Sequence, residues 1–232
     1  MNTNRKVLIK NKLNSLSASD VKNHIANENE DVLILDFRSA LEFKKNHLKS
    51  SVFIGFDGDF ISIVHSLIKN INQNIILICP LGKEEEVAAQ LIKIGYENIL
   101  GYLNEGMDFL LFNSYETTFI NTLNSSENSL LSKGLFIDVR ETNDYTINHV
   151  KNALNIPLIT INDKLSDLDK NSTYFIYDTK GYHSLIAASI LQKNGLTKVF
   201  TVNGGFSDIL NSRIPLYECR KNCPTCACSE QN

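Results

Sequence analysis

The sequence predicts an α/β fold built twice: two small parallel sheets flanked by helices, with a cysteine-rich tail after the second. Residues 33–52 and 135–154 carry one phrase in two copies. Leu33-Ile34-Leu35-Asp36-Phe37-Arg38, then Glu42-Phe43 and His47-Leu48, is matched by Leu135-Phe136-Ile137-Asp138-Val139-Arg140, then Asp144-Tyr145 and His149-Val150. The Asp-to-His separation is the same in both, as a duplicated structural unit requires. In each copy, short apolar runs of buried-strand type alternate with stretches of helical spacing, the pattern of a parallel sheet whose crossovers are helices.

A chain of 232 residues accommodates two domains of roughly 100 residues each. The reading places them at 1–115 and 116–216, with the tail at 217–232. A net charge of -3 gives no sign of a nucleic-acid partner. The opening stretch Met1 to Leu16 holds no apolar run of signal-peptide length, and no uninterrupted apolar segment of about 20 residues occurs. These features predict a cytoplasmic protein without membrane contact. Cys79 stands alone, while Cys219, Cys223, Cys226 and Cys228 crowd the end of the chain. A disulfide framework would staple the domains themselves, so this distribution points to thiol chemistry or metal binding in a reducing compartment.

In the first copy, Ser17 and Ser19 precede a helix around Asp20 to Ala26 as capping residues. Val32 to Leu35 is a buried strand ending in the polar Asp36 and Arg38. Phe53-Ile54 forms a short strand, Ile61 to Lys69 has helical spacing, and Ile75 to Ile78 is a second buried strand. It stops at Cys79-Pro80-Leu81-Gly82. Glu84 to Lys93 is the next helix, with Val87, Ala88, Leu91 and Ile92 on one inward face. Gly95 ends it, and Asn98 to Tyr102 begins the last strand.

The second copy repeats this order, with strands at Leu135 to Val139, Tyr174 to Tyr177 and Val199 to Val202, and a helix at Ser184 to Lys193 closed by Gly195. Asn113 to Lys133 is expected to hold a linker and the first helix of this copy. In a parallel sheet, a loop leaving the carboxyl end of a central strand and entering a helix is the natural ligand site. Cys79 and Asp178 occupy that loop in their respective copies.

At these two loops the chain resembles the rhodanese family, which transfers sulfane sulfur through a cysteine persulfide. The family's active loop has the form Cys-x-x-Gly-x-Arg-Ser, followed by a helix bearing Ala-Ala. Cys79-Pro80-Leu81-Gly82-Lys83-Glu84-Glu85 matches the cysteine and the glycine, with Ala88-Ala89 following. Asp178-Thr179-Lys180-Gly181-Tyr182-His183-Ser184 matches the glycine and the serine, with Ala187-Ala188 following. Asn203-Gly204-Gly205-Phe206 resembles the family's closing Gly-Gly-aromatic turn, and Asn104-Glu105-Gly106-Met107 is a weaker counterpart. The resemblance covers about residues 16–112 and 120–212. The first copy, in Glu84-Glu85-Glu86 followed by Gly95-Tyr96-Glu97-Asn98-Ile99-Leu100-Gly101-Tyr102-Leu103, resembles the middle rhodanese-like domain of metallo-β-lactamase-fold persulfide dioxygenase/rhodanese fusions. The sequence contains no His-x-His-x-Asp-His cluster, so dioxygenase activity is not implied.

The resemblance implies sulfur chemistry at Cys79, and the residue types around it set its terms. A thiol between a strand and a helix faces free backbone N-H groups that favour thiolate and would hold a persulfide anion. Glu84, Glu85 and Glu86 oppose this by repelling anionic donors such as thiosulfate, and Lys83 offsets them only in part. Cys79 is therefore read either as a sulfur-carrying thiol or as an inert buried cysteine in a degenerate loop formed with Gly82, Lys83, Glu84 and Glu85.

In the second copy Asp178 cannot form a stable persulfide, and Lys180, Gly181, His183 and Ser184 read as a structural or ligand-holding loop. There Lys180 and His183 could pair with Asp178, and Ser184 serves as a helix cap. Asp36 with Arg38, Asp138 with Arg140, His47 and His149 recur in a catalytically mismatched copy, which favours structural roles for all six. The tail, Cys219-x-x-x-Cys223-x-x-Cys226-x-Cys228, offers soft ligands for zinc or copper(I), a thiol relay, or no dedicated role.

Two functions follow as expectations. One is sulfurtransferase-like handling of sulfane sulfur through a Cys79 persulfide, with a low-molecular-weight persulfide or a protein thiol as partner and no required cofactor. The other is a noncatalytic tandem scaffold that binds a sulfur-metabolism partner or a metal.

Overall fold

The computed structural model describes residues 13–27, 31–113, 115–126 and 133–218. These divide into two compact units between Phe119 and Ile120.

In the first unit the strands are β1 (Ser15–Leu16), β2 (Val32–Asp36), β3 (His47–Leu48), β4 (Ser51–Phe53), β5 (Asn74–Ile78), β6 (Ile99–Leu103) and β7 (Thr117–Thr118). Its helices are α1 (Ala18–Ala26), α2 (Ala40–Lys45), α3 (Phe60–Leu67), α4 (Glu84–Lys93) and α5 (Met107–Phe112). Five strands form a parallel sheet in the order β1-β6-β5-β2-β4. β3 and β7 form a separate antiparallel pair, His47 opposite Thr118.

The second unit contains β8 (Asn121–Leu123), β9 (Leu135–Asp138), β10 (Asn148–Val150), β11 (Leu154–Asn155), β12 (Tyr174–Tyr177), β13 (Val199–Val202) and β14 (Leu216–Glu218). Its helices are α6 (Thr142–Ile147), α7 (Tyr182–Lys193) and α8 (Gly205–Ile209), with a 3₁₀ segment at Leu158–Asp167. The sheet order β11-β9-β12-β13-β8 reproduces that of the first unit strand for strand, and β10 pairs antiparallel with β14. The duplication read from two phrases thus extends to sheet order and to the small accessory pair.

The central strands form where the apolar runs lie. Ile34, Leu35, Ile75, Ile76 and Leu77 are at most 1 % exposed. Burial of each such side chain contributes about 1.5–3 kcal/mol. Strands covered on both faces need no polar alternation, which is why these runs are apolar throughout. α4 buries only Val87, Ala88 and Leu91, as an amphipathic helix does, whereas α7 is buried from Ser184 to Gln192.

Several boundaries differ from expectation. α1 starts at Ala18 because Ser17 caps it reciprocally with Asp20, so Ser19 lies inside the helix. α3 spans Phe60–Leu67 because Asp59 accepts the Ser62 N-H at its start. α7 begins two residues before the expected Ser184, with Gly181 in the left-handed conformation as its N-cap; Ser184 is therefore not the cap. Between Asn113 and Lys133 the described residues form β7 and β8, and positions 127–132 of the expected helix lie outside the described residues.

Candidate active site

Cys79 follows the last residue of β5, a central strand, and is half-buried. The strand is held to its neighbour at this point, the Phe37 N-H donating to the Ile78 carbonyl at 2.7 Å. The loop then turns back through a Lys83 N-H to Pro80 carbonyl bond of 3.0 Å, with Gly82 at φ +79°, where a side chain would strain the backbone. Leu81 at the apex is fully exposed. No side chain caps α4. Instead Glu84 reaches back, and its Oε1 accepts the Gly82 N-H at 3.1 Å. Lys83, the cation of the loop, is taken up by Glu86 at 2.9 Å and lies 5.2 Å from the centre of the Phe56 ring. A cleft of about 230 Å³ opens beside the loop, lined by Leu13, Gly82, Glu84, Glu85 and Tyr102.

These surroundings favour the protonated thiol. Burial pushes the Cys79 thiol well above its ordinary pKa, and the Glu84 and Asp36 carboxylates push it further in the same direction. Burial is the largest of these effects, because a thiolate loses its hydration there.

The second loop is organised around its own carboxylate. Asp178 accepts the Gly181 N-H at 2.7 Å and the His183 N-H at 3.1 Å, so its two oxygens satisfy two amides at the start of α7. The side chains of Lys180 and His183 are exposed; the carboxylate is held by backbone amides rather than by the pairing expected from the sequence. From the other side, the Phe206 N-H donates to the Asp178 carbonyl at 2.6 Å and the Ser207 Oγ to the Thr179 carbonyl at 3.0 Å. Gly205 makes this approach possible, since a Cβ there would lie 2.4 Å from the Asp178 carbonyl oxygen. In the first unit a Cβ on Gly106 would meet nothing within 4 Å. Ser184 Oγ is buried without a hydrogen-bond partner.

Beneath both loops lie near-identical ion pairs. Arg38 donates through Nε and Nη2 to Asp36, 2.6 Å at the shortest, and through Nη2 to the Asn46 carbonyl. Arg140 does the same with Asp138 and the Asn148 carbonyl, again 2.6 Å at the shortest. Burial pushes the Asp36 carboxyl up against the pull of Arg38. Among the described residues Arg140, unlike Arg38, lies over aromatic rings, Phe206 at 3.8 Å and Tyr177 at 5.8 Å. His47 and His149 each place Nδ1 2.7 Å from a carbonyl four residues earlier and stack on the ring of that same residue, Phe43 or Tyr145. Cys219, Cys223, Cys226 and Cys228 lie outside the described residues. Among the described residues no group of three or more His, Cys, Asp or Glu is placed to hold a metal ion, and no helix is long and apolar enough to cross a membrane.

The sequence did not disclose the three carboxylate-to-amide contacts that Asp178 and Glu84 make. A usable signal was present: an acidic residue three positions before a loop glycine, or two after it, has the short-range geometry of a cap.

A model of the rhodanese-like domain matches residues 17–109 and again 123–212. The chain belongs to the rhodanese family. Its relatives include an uncharacterised protein of Bacillus subtilis, YqhL, 31 % identical over 93 residues, which are 40 % of this chain and 74 % of that protein. The thiosulfate sulfurtransferase PspE of Escherichia coli is 36 % identical over 81 residues, 34 % of this chain and 77 % of that protein. Among solved structures, a rhodanese-related protein of Thermoplasma volcanium aligns with 42 % of this chain and 97 % of its own at 22 % identity, with a TM-score of 0.40. Longer curated relatives are matched over as little as 16 % of their length.

Proposed function

We propose that this rhodanese handles sulfane sulfur at Cys79 alone, taking it from a persulfide donor and passing it to an acceptor thiol, while the second unit carries no sulfur. The position of Cys79 carries this reading: a half-buried thiol at the carboxyl end of a central parallel strand, ahead of a helix N-terminus, in a loop whose Gly82 borders a cleft. PspE, a thiosulfate sulfurtransferase by name, supports sulfur transfer as the class of reaction. The acidic wall disfavours thiosulfate itself as donor.

The step is an exchange without net oxidation. The Cys79 sulfur attacks the outer sulfur of a persulfide R-S-SH and loses its proton as the new S-S bond forms. The donor's S-S bond breaks, and its electron pair leaves with the inner sulfur, which takes up a proton and departs as R-SH. An acceptor thiol then attacks the outer sulfur of the Cys79 persulfide, and Cys79 returns as a thiol. A thiol with a raised pKa is rarely ionised at neutral pH, so the first attack is slow. The tail cysteines are read as soft ligands for zinc or copper(I).

Intact-mass analysis of the full chain after treatment with a small persulfide tests this, with the site located by peptide mapping. Gain of one sulfur on Cys79, reversed by a thiol and absent in Cys79→Ser, is the expected result. Failure of Cys79 to load overturns it in favour of a noncatalytic scaffold, the reading supported by carboxylates that already occupy a loop amide in both copies.

A further inference from the structure

Glu84 stands out because its charge is fixed in place at the mouth of the loop. Its carboxylate is held by the Gly82 N-H, and it lines the cleft together with Glu85, Gly82, Leu13 and Tyr102. Lys83, which could neutralise the pair, is drawn to Glu86 and the Phe56 ring. The second copy provides an internal contrast. Where the cysteine-bearing loop has Glu84 and Glu85, the loop without cysteine has His183 and Ser184. The two carboxylates thus accompany the only cysteine found in either loop. At about 230 Å³ the cleft is smaller than the roughly 300 Å³ at which pockets for drug-sized ligands begin, so it suits a molecule of amino-acid size.

We propose that Glu84 selects the sulfur donor at the Cys79 loop, turning away dianions and favouring a small persulfide that carries an ammonium group. The inference rests on the proposed sulfur loading of Cys79 and names the donor that the site accepts. An ammonium group entering the cleft meets two carboxylates and Gly82, which belongs to the same short loop as the thiol, so the persulfide end of the molecule has only the width of that loop to reach Cys79. Thiosulfate brings two negative charges to the same wall and is repelled there. Glu84 acts as a specificity-determining residue; the sulfur exchange itself is carried by Cys79 and the donor.

The test compares rates of Cys79 loading by cysteine persulfide and by thiosulfate in wild type, Glu84→Gln and Glu84→Asp, read by intact mass with Cys79→Ser as the blank. Glutamine still accepts the Gly82 N-H but removes the charge, and aspartate keeps the charge. The preference for cysteine persulfide should fall about tenfold in Glu84→Gln and stay within about twofold of wild type in Glu84→Asp. Loading of wild type by thiosulfate should also rise with ionic strength, because salt screens the repulsion. Loading that proceeds in Glu84→Gln with an unchanged donor preference overturns the assignment to Glu84 and leaves Cys79 transfer standing. Absence of loading in every variant with both donors overturns sulfur transfer, and this inference with it.

Discussion

Asp178 Oδ1 lies 2.7 Å from the amide nitrogen of Gly181, and the amide at the equivalent position of the first copy, that of Gly82, is likewise held by a carboxylate, from Glu84 at 3.1 Å. One backbone donor is thus satisfied twice by acids at different places in the loop. In the second unit the acid replaces the cysteine itself, so its removal strands two amides. Asp178→Ala should cost about 1–3 kcal/mol of stability. Hydrogen exchange by mass spectrometry should quicken at residues 178–184 and remain at the wild-type rate in the Cys79 loop.

The turn after β13 is sensitive in one copy only. Gly205 has φ +60° and would drive a Cβ into the Asp178 carbonyl oxygen and the Lys180 nitrogen, whereas Gly106 has φ -68° and open space. Gly205→Ala should destabilise the chain by more than about 1 kcal/mol. Gly106→Ala should remain within about 0.5 kcal/mol of wild type. Urea denaturation of the two variants checks the contrast.

The two buried ion pairs should respond unequally to lysine. Lysine cannot reproduce the planar fork in either place, so both Arg38→Lys and Arg140→Lys lose stability. Arg140 also lies 3.8 Å over the Phe206 ring, while no ring faces Arg38 among the described residues. Arg140→Lys should cost about 0.5–2 kcal/mol more than Arg38→Lys. Truncation of either arginine to alanine, which strands a buried aspartate, should cost about 3–5 kcal/mol.

The raised pKa of Cys79 has a definite sign in its reactivity. The folded chain holds the thiol proton more tightly than the unfolded chain, so the thiol is protonated near neutral pH. Alkylation of Cys79 by iodoacetamide, followed by peptide mapping, should therefore rise about tenfold per pH unit through the range where an ordinary cysteine levels off, above about pH 8.5. The associated stability is present below about pH 8.5 and declines as the solution becomes more alkaline. Glu84→Gln should speed alkylation at every pH while keeping the slope, because burial remains the largest cause.

The frame was legible in the sequence where one force dominated. The runs at Leu33 to Leu35 and Ile75 to Ile78 read as strands because they are apolar on both faces, and Gly82 and Gly181 read as loop residues because each takes a positive φ. The two-residue strands His47–Leu48 and Thr117–Thr118 are too short to show a period, whereas the 3₁₀ segment Leu158–Asp167 does space Leu158, Ile161 and Leu165 at helical intervals, a signal that was present and passed over. The sites were harder to read. Asp178 suggests a lost nucleophile until the left-handed turn at Gly181 brings two amides onto its oxygens. Likewise, the sequence set the helix N-terminus ahead of Cys79 against the acids that follow it, while the contribution of Asp36, far away in the chain, came only with the fold.

The antiparallel pairs β3–β7 and β10–β14 give each half of the chain a clasp made from its own residues, close to its own end. A module that fastens itself can be duplicated and then drift at its loop without loosening the strands that hold it. The two loops differ, one with a cysteine and acids and the other with an aspartate in the cysteine's place, while both halves keep the same weave.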